Sequence, residues 1–137
     1  MLEVTADTNI YISGLIFSGR PRQFLMQAEA GRFRLAISDA LLEELGRILR
    51  VKFAWSDETV AETVAQLLGC AVLVRPTERL DVVQDDPDDN RVLVCAVAAG
   101  SRFIVTGDAA LLRLGSHANI RILKVADFLE LIQGPSV

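Results

Sequence analysis

The sequence of 137 residues contains few of the side chains that build zinc sites, disulfides or histidine-dependent active sites. It has one histidine, His117, and two cysteines, Cys70 and Cys95, at no spacing that suits a metal site. These counts argue against zinc chemistry and against a Ser/His/Asp triad. Both cysteines stand among apolar residues, which favours buried free thiols over a disulfide and predicts a reducing compartment.

Long apolar runs and basic leader segments are absent as well. No apolar stretch reaches the roughly 18 to 20 residues that a membrane span requires. The first residues include Glu3 and Asp7 and no basic region, so we expect no signal peptide and a cytoplasmic protein without membrane contacts. A hydrophobic content of 51% excludes a disordered chain and suffices for one core, which predicts a single domain over residues 1–137.

Basic residues are in the minority, and the formal net charge is −4. This balance argues against a surface that is basic throughout for binding nucleic acid. The distribution is uneven, because residues 20–52 hold seven basic side chains and four acidic ones. A solvated helix surface is the simpler interpretation of this segment, and a patch that binds a phosphate backbone is the other. The candidate phosphate contacts are Arg20, Arg22, Arg47, Arg50 and Lys52.

Extended and helical patterns alternate along the whole chain. The predicted elements are strand 2–6, helix 22–31, strand 34–37, helices 39–49 and 57–68, strand 70–74, helix 90–99, strand 103–106, helix 109–114, strand 120–123 and helix 126–132. Such alternation, with short β-branched runs, predicts an α/β fold. We expect a central parallel sheet of about five strands with helices on both faces, which is a three-layer α/β/α sandwich.

Polar side chains follow the first predicted strand directly, at Asp7, Thr8 and Asn9. Ligands of open α/β sheets bind beyond the carboxyl ends of the strands, so this position suits functional chemistry. The simpler interpretation is a helix N-cap, which all three residue types favour. Asp108 comes just after strand 103–106 and projects from the same edge. The two carboxylates are therefore close if these strands are neighbours.

The helix predicted over 39–49 carries two adjacent acids that differ in orientation. Its apolar residues define one buried stripe, and at 100° per residue Glu44 lies on the flank of that stripe. Glu43 lies nearly opposite the stripe. We therefore expect Glu44 to turn inward and Glu43 to be a solvated surface charge.

Four aspartates crowd into residues 85–89, immediately before an apolar helix. Asp89 is in register with the buried stripe of that helix. The helix dipole explains part of this cluster, but crowded like charges repel and raise one another's pKa, which a cation relieves. An EF-hand is excluded, because Arg91 and Val97 occupy the positions where Gly and Glu are required. Carboxylates from several elements suit Mg²⁺ or Mn²⁺, which would activate a water against a phosphodiester.

Four motifs in this order resemble the PIN domain, and more narrowly the PIN-family toxins of prokaryotic toxin–antitoxin systems, relatives of the VapC-type ribonucleases. The motifs are Asp7-Thr8-Asn9 before Ile10 to Leu15, Glu44-Leu45, Asp86 to Asn90 before Leu93 and Ala96, and Val105 to Asp108 before Leu111-Leu112. The resemblance covers nearly the whole chain. It implies an Mg²⁺- or Mn²⁺-dependent endoribonuclease that leaves a 5′-phosphate and a 3′-hydroxyl.

The resemblance also implies roles for individual residues. Its acidic quartet corresponds to Asp7, Glu44, Asp89 and Asp108, as catalytic residues and metal ligands, with Glu44 bound directly or through a water. Thr8, Asn9 and Thr106 would support these acids, and Asp86 would be a further ligand or only a loop charge. The implied partners are an RNA substrate, a cognate antitoxin protein and a second copy in a homodimer. Two departures from the family pattern are Ala110, where many relatives carry an acid, and Thr5-Ala6, where large aliphatic residues are usual.

Three other functions remain to be weighed against a nuclease. A phosphohydrolase with an aspartyl nucleophile needs a second Asp two residues after Asp7, and the chain has Asn9 there. A phosphoacceptor receiver domain needs an Asp after its middle strand, and strand 70–74 is followed by Arg75-Pro76. A PIN-like module that binds RNA or a protein without cleaving is the main alternative.

Overall fold

The computed structural model describes residues 1–76 and 87–133, and the side chains of residues 87–89 lie outside the description. The elements in chain order are β1 (Glu3–Ala6), α1 (Thr8–Ile16), α2 (Arg20–Glu29), β2 (Arg34–Ser38), α3 (Asp39–Phe53), α4 (Asp57–Leu68), β3 (Ala71–Val74), α5 (Pro87–Ala99), β4 (Phe103–Val105), α6 (Ala109–Leu114), β5 (Ser116–His117), β6 (Ile120–Leu123) and α7 (Val125–Gln133). None of the described helices has the length and apolar character of a membrane span.

The strands form one sheet in the order β3-β2-β1-β4-β6-β5. All neighbouring pairs run parallel except β5 and β6, which are antiparallel. In the central strand β1, the consecutive residues Val4, Thr5 and Ala6 are all fully buried. Because successive side chains of a strand point to opposite faces, both faces of the sheet are covered. The predicted α/β fold with a mostly parallel sheet is confirmed.

The structure adds a sixth strand to the five that were predicted. No strand was predicted between helix 109–114 and strand 120–123, but His117 pairs with Ile120 across a tight hairpin. Ala118 and Asn119 close this hairpin with φ values of 49° and 68°. A two-residue turn of this kind needs positive φ at both positions and usually contains Gly. Because Gly is absent from this turn, the hairpin could not be predicted from turn residues.

Helix α1 is the other element that was not predicted. It spans Thr8–Ile16 and buries Ile10, Tyr11, Ile12 and Gly14, so burial extends around most of its circumference. A helix buried in this way lacks the polar face that produces a period of 3.6 residues. The apolar stretch after Asp7 therefore carried no helical signature, although the capping residues before it did.

Aromatic side chains hold the outer helices against the sheet. The rings of Phe24 in α2, Phe33, Phe103 in β4 and Phe128 in α7 are arranged with centroid separations between 5.0 and 5.6 Å. Tilted and edge-to-face contacts at these distances add to the stabilisation from buried area. The helices that begin at the carboxyl ends of β1 and β4 are α1 and α6.

Candidate functional site

The carboxyl ends of the neighbouring strands β1 and β4 form the candidate site. Ala6 and Val105 are paired in the sheet, and the amide N–H of Asp7 donates to the carbonyl of Val105 at 3.2 Å. Asp7 therefore lies where β1 leaves the sheet, and Asp108 lies three residues after Val105, the last residue of β4. The expected adjacency of these two strands is confirmed.

Asp7 acts as a helix cap and is also almost completely buried. The amide N–H of Ile10 donates to Asp7 Oδ1 at 3.0 Å, which caps α1. The hydroxyl of Thr106 donates to the other oxygen, Oδ2. The Asp7 residue is 6% exposed. The capping interpretation of Asp7 is therefore correct, and it coexists with a buried carboxylate at the sheet edge.

The surroundings of Asp7 disfavour its negative charge. Burial raises the pKa of Asp7 above its ordinary value, and the charge of Asp108 raises it further. Hydrogen bonds from Thr106 and from the amides of Ile10 and Gly107 lower the same pKa, but burial outweighs them. The ion pairs of Arg34 with Glu3, Arg50 with Asp57 and Arg75 with Asp39 do not involve Asp7. A bound cation would supply the positive charge that the hydrogen-bond donors around Asp7 do not.

Thr106 links the two aspartates through one hydroxyl group. It is fully buried, donates to Asp7 Oδ2 and accepts the amide N–H of Asp108 at 2.9 Å. Asp108 in turn caps α6, because its Oδ2 accepts the amide N–H of Leu111 at 3.0 Å. Each aspartate is thus oriented by a helix N-terminus, and Thr106 sets the position of one relative to the other.

Glu44 reaches this network from helix α3. It is half-buried, and its Oε2 accepts a hydrogen bond from the Thr8 hydroxyl at 3.1 Å. Its neighbour Glu43 is exposed. The expected difference between the two acids is therefore confirmed. Because Thr8 adjoins Asp7, the inward acid of α3 lies beside the start of α1.

The acidic segment before α5 is only partly described. Asp86 lies outside the described residues, and so does the side chain of Asp89. The backbone places Asp89 in the first turn of α5, in the same helix as the fully buried Leu93 and Ala96. Within residues 1–76 and 90–133, no three His, Cys, Asp or Glu side chains form a group that could hold a metal ion.

The acids near this edge offer the type of oxygen atom that suits a hard divalent cation. Carboxylate oxygens from Asp7, Asp108 and Glu44 are the ligand type that Mg²⁺ and Mn²⁺ prefer. Cys95 is not a candidate metal ligand, because its thiol lies in the core and burial raises its pKa to about 11. Both cysteines are free, as expected, but Cys95 is buried and Cys70 is only half-buried.

The candidate phosphate contacts are dispersed along two helices. Arg20 and Arg22 are exposed at the start of α2, and Arg22 Nε donates to the carbonyl of Gly14 at 3.3 Å. Arg47, Arg50 and Lys52 are exposed on α3, and Arg50 pairs with Asp57 at 3.8 Å. Arg47 follows Glu44 by three positions, which is about one helical turn. Of the supporting residues, Asn9 is exposed beside Asp7.

Two buried polar residues near the site were not selected from the sequence. Thr5 is fully buried in β1, and its hydroxyl pairs with that of Ser101 at 2.9 Å. Tyr11 lies one helical turn after Asp7, and its buried hydroxyl has no hydrogen-bond partner among the residues that the structure describes. Spacing from Asp7 along a helix would have selected Tyr11, but only once α1 was known.

Comparison with known proteins agrees with this geometry. The family described as "PIN domain" matches residues 3–110. No protein with a curated description matches the chain. The fold is similar to the crystal structure of PAE2754 from Pyrobaculum aerophilum, with a TM-score of 0.59 and coverage of 98% of this chain and 91% of that chain. The identity is 18%, so this likeness shows the fold alone. The chain belongs to the PIN domain family, whose members are generally nucleases.

Proposed function

We propose that the chain is an endoribonuclease that depends on Mg²⁺ or Mn²⁺. The observation that carries the proposal is the environment of Asp7, a buried carboxylate whose pKa is raised by burial and by Asp108 at the carboxyl edge of two adjacent strands. Such an arrangement destabilises the free protein, and it becomes favourable when a cation binds. PIN domains typically use divalent metal ions, which supports the same assignment.

The proposed ligands are Asp7, Asp108 and Asp89, with Glu44 as a direct ligand or a ligand through water and Asp86 as a possible addition from the loop. When bound, the ion would supply a water of lowered pKa and positive charge beside the phosphodiester. The chain itself contributes the orientation of the acids, through the caps of α1 and α6 and the Thr106 hydroxyl. Thr8 and Asn9 complete the proposed supporting set.

The proposed substrate is RNA, held through its phosphate backbone. Arg47 lies one turn beyond Glu44 on α3 and is the phosphate contact with the best support. Arg22 and Arg50 have contacts within the protein, and Arg20 and Lys52 are exposed. A few such contacts would offset the acidic net charge of the molecule when a divalent ion occupies the acidic edge.

We further propose that the chain is the toxin of a type II toxin–antitoxin pair and acts in the cytoplasm as a homodimer. Large exposed apolar side chains support a protein contact, since Phe17 is 57% exposed, Met26 58% and Val51 79%. These residues lie after α1, in α2 and in α3. Apolar side chains at such exposures are candidates for burial against an antitoxin or a second copy.

The activity test compares purified variants on a mixture of structured and single-stranded RNA with Mn²⁺ or Mg²⁺. We expect the natural chain to cleave it, Asp7→Asn and Glu44→Gln to lose at least about a hundredfold in rate, and excess EDTA to abolish cleavage. Glu43→Gln is the matched control, because Glu43 adjoins Glu44 and is exposed. Cleavage by Asp7→Asn equal to that of the natural chain contradicts the proposal. Binding of RNA and Mn²⁺ without any cleavage indicates the non-cleaving module.

The toxin role has a separate test in cells. Induced expression of the chain in a bacterium should arrest growth, and expression of Asp7→Asn at the same level should not. Normal growth with active enzyme present in the cell extract would contradict the toxin role and leave the nuclease assignment in place.

A further inference from the structure

Thr8 forms a contact between two helices that start from different strands. It is the first residue of α1 and is 5% exposed. Its hydroxyl donates to Glu44 Oε2 of α3 at 3.1 Å, across 36 positions of sequence. Helices α1 and α3 also pack against each other. The hydrogen bond therefore joins them next to Asp7, at the edge where the acids lie.

The position of Thr8 at the start of α1 explains why its hydroxyl bonds another helix. A threonine inside a helix commonly donates to the carbonyl one turn earlier in its own helix. Thr63 does so in α4, where its hydroxyl donates to the Thr59 carbonyl at 2.9 Å. One turn before Thr8 the chain is the strand β1, so no helical carbonyl is in place. The donor of Thr8 is thus available to Glu44.

This bond restricts the side chain of Glu44, which is longer and more flexible than that of an aspartate. Glutamate has several rotatable bonds, and fixing it costs more conformational entropy than fixing aspartate. Asp7 and Asp108 are each fixed by a capped helix N-terminus, but Glu44 lies in the second turn of α3, where no capping amide is available. A hydroxyl from α1 provides the restraint that the backbone of α3 does not.

We propose that Thr8 is a positioning residue for Glu44, whose carboxylate it holds beside the start of α1 in the orientation that a divalent cation requires. This inference rests on the proposed metal-dependent function. An alternative is that the bond only joins α1 to α3 and affects stability alone. If the bond affects stability alone, removing the Thr8 hydroxyl leaves metal affinity unchanged. If Thr8 positions Glu44, removing the hydroxyl weakens metal binding, and this effect disappears once Glu44 is absent.

The experiment measures Mn²⁺ affinity by calorimetric titration of the full chain without RNA. Thr8→Val keeps the shape of the side chain and removes the donor, and we expect about a 10- to 100-fold weaker affinity. Thr8→Ser keeps the donor and should bind Mn²⁺ within about threefold of the natural chain. Thr63→Val is the matched control, because it removes a threonine hydroxyl bond from α4, and it should leave the affinity unchanged.

A double-mutant cycle identifies Glu44 as the group through which Thr8 acts. Glu44→Ala should weaken Mn²⁺ binding, and adding Thr8→Val to it should cause no further loss. In cleavage assays, Thr8→Val should lower kcat with little change in KM for RNA, and Thr8→Ser should restore kcat. If Thr8→Val does not fold, as judged by circular dichroism, Thr8→Ala is measured in its place.

The outcomes separate this inference from the proposed function. If the natural chain does not bind Mn²⁺, the metal-dependent function is wrong and the inference falls with it. If the natural chain binds Mn²⁺ but Glu44→Ala or Thr8→Val binds it equally well, only the inference is overturned. An equal loss from Thr8→Val in the natural and Glu44→Ala backgrounds also overturns it, because Thr8 would then act independently of Glu44.

Discussion

At the scale of single residues, Asp7 shows how one side chain combines a structural and a chemical role. It caps α1 through Oδ1, yet its burial and the nearby Asp108 disfavour its ionised form. The raised pKa means that the folded state without a cation binds a proton at Asp7 more tightly than the unfolded state does. The contribution of Asp7 to stability is therefore present below its unfolded pKa and is lost as the pH rises through its folded pKa.

Replacing Asp7 by Asn should therefore stabilise the metal-free protein at neutral pH. Asn retains the capping oxygen and removes the charge, so we expect a gain on the order of 1 kcal/mol at pH 7. The gain should shrink as the pH falls, because Asp7 itself becomes protonated. Thermal unfolding in EDTA between pH 4 and pH 8 measures both effects, with Glu43→Gln as the control. A variant that is less stable than the natural chain at pH 7 would contradict the interpretation.

Tyr11 gives a second prediction at the residue scale. Its hydroxyl is buried without a partner among the described residues, and burial raises the pKa of that hydroxyl. A buried polar group without a hydrogen bond costs roughly 1 to 3 kcal/mol. Tyr11→Phe should therefore be as stable as the natural chain or more stable, by about 1 kcal/mol in urea denaturation. Tyr11→Leu removes the ring and should be destabilised, because it leaves a cavity. A loss of stability in Tyr11→Phe would reveal a partner for the hydroxyl.

At the scale of elements, three strands of the sheet lead directly into a helix whose first turn is capped by a side chain. Asp7 caps α1, Ser38 caps α3 and Asp108 caps α6, each at the carboxyl end of a parallel strand. The positive ends of these helix dipoles therefore point to the same edge of the sheet. This arrangement partly compensates the negative charges of Asp7 and Asp108 at that edge.

Close packing of α1 against α2 depends on one glycine. A Cβ atom at Gly14 would lie 2.6 Å from Leu25 Cδ1 and 2.9 Å from the carbonyl oxygen of Pro21. Gly14→Ala should therefore destabilise the protein by about 1 to 3 kcal/mol, because the backbone of α2 has to move.

The helical glycine Gly46 is the matched control for Gly14. A Cβ there meets Val60 at 3.4 Å and the movable end of the Arg50 side chain at 3.3 Å. Gly46→Ala should be neutral or stabilising by up to about 1 kcal/mol, since Ala favours the helix. Chemical denaturation of both variants checks the contrast. Equal effects of the two substitutions would show that α1 and α2 are not packed this closely.

The elements also show which parts of the fold a sequence can predict. Amphipathic helices such as α3 and α4 and the strands of the parallel sheet were predicted because exposure on one side or short β-branched runs leave a pattern. Helix α1 is buried around most of its surface, and the β5–β6 hairpin turns through Ala118 and Asn119. Neither element therefore has a recognisable pattern in the sequence. The side of Glu44 followed from helix geometry alone. The bond between Glu44 and Thr8 did not, because it depends on how α1 and α3 pack.

At the scale of the whole molecule, the proposed cation links the stability of the fold to the chemistry of the site. A ligand that binds only the folded state stabilises it by RT ln(1 + [L]/Kd), which is about 2.7 kcal/mol at a hundredfold excess over Kd. Mn²⁺ should therefore raise the melting temperature of the natural chain. Asp7→Asn should show little of this increase, although it starts from a higher melting temperature in EDTA. An equal increase in both proteins would place the ion at another site.

The distribution of charge over the molecule predicts which arginines RNA contacts. Arg47 follows the candidate ligand Glu44 on α3, whereas Arg32 precedes β2 at the amino edge of the sheet, opposite the carboxyl end where Asp7 lies. Both side chains are exposed, and the two substitutions by Ala change the net charge equally. In the inactive Asp7→Asn background, Arg47→Ala should weaken RNA binding and reduce the slope of log K against log salt by about 0.7 to 1, the contribution of one phosphate contact. Arg32→Ala should leave that slope unchanged. Equal slopes for the two variants would mean that only the overall charge of the molecule matters. A direct phosphate contact depends on where the arginine lies, whereas a general electrostatic attraction depends on net charge alone.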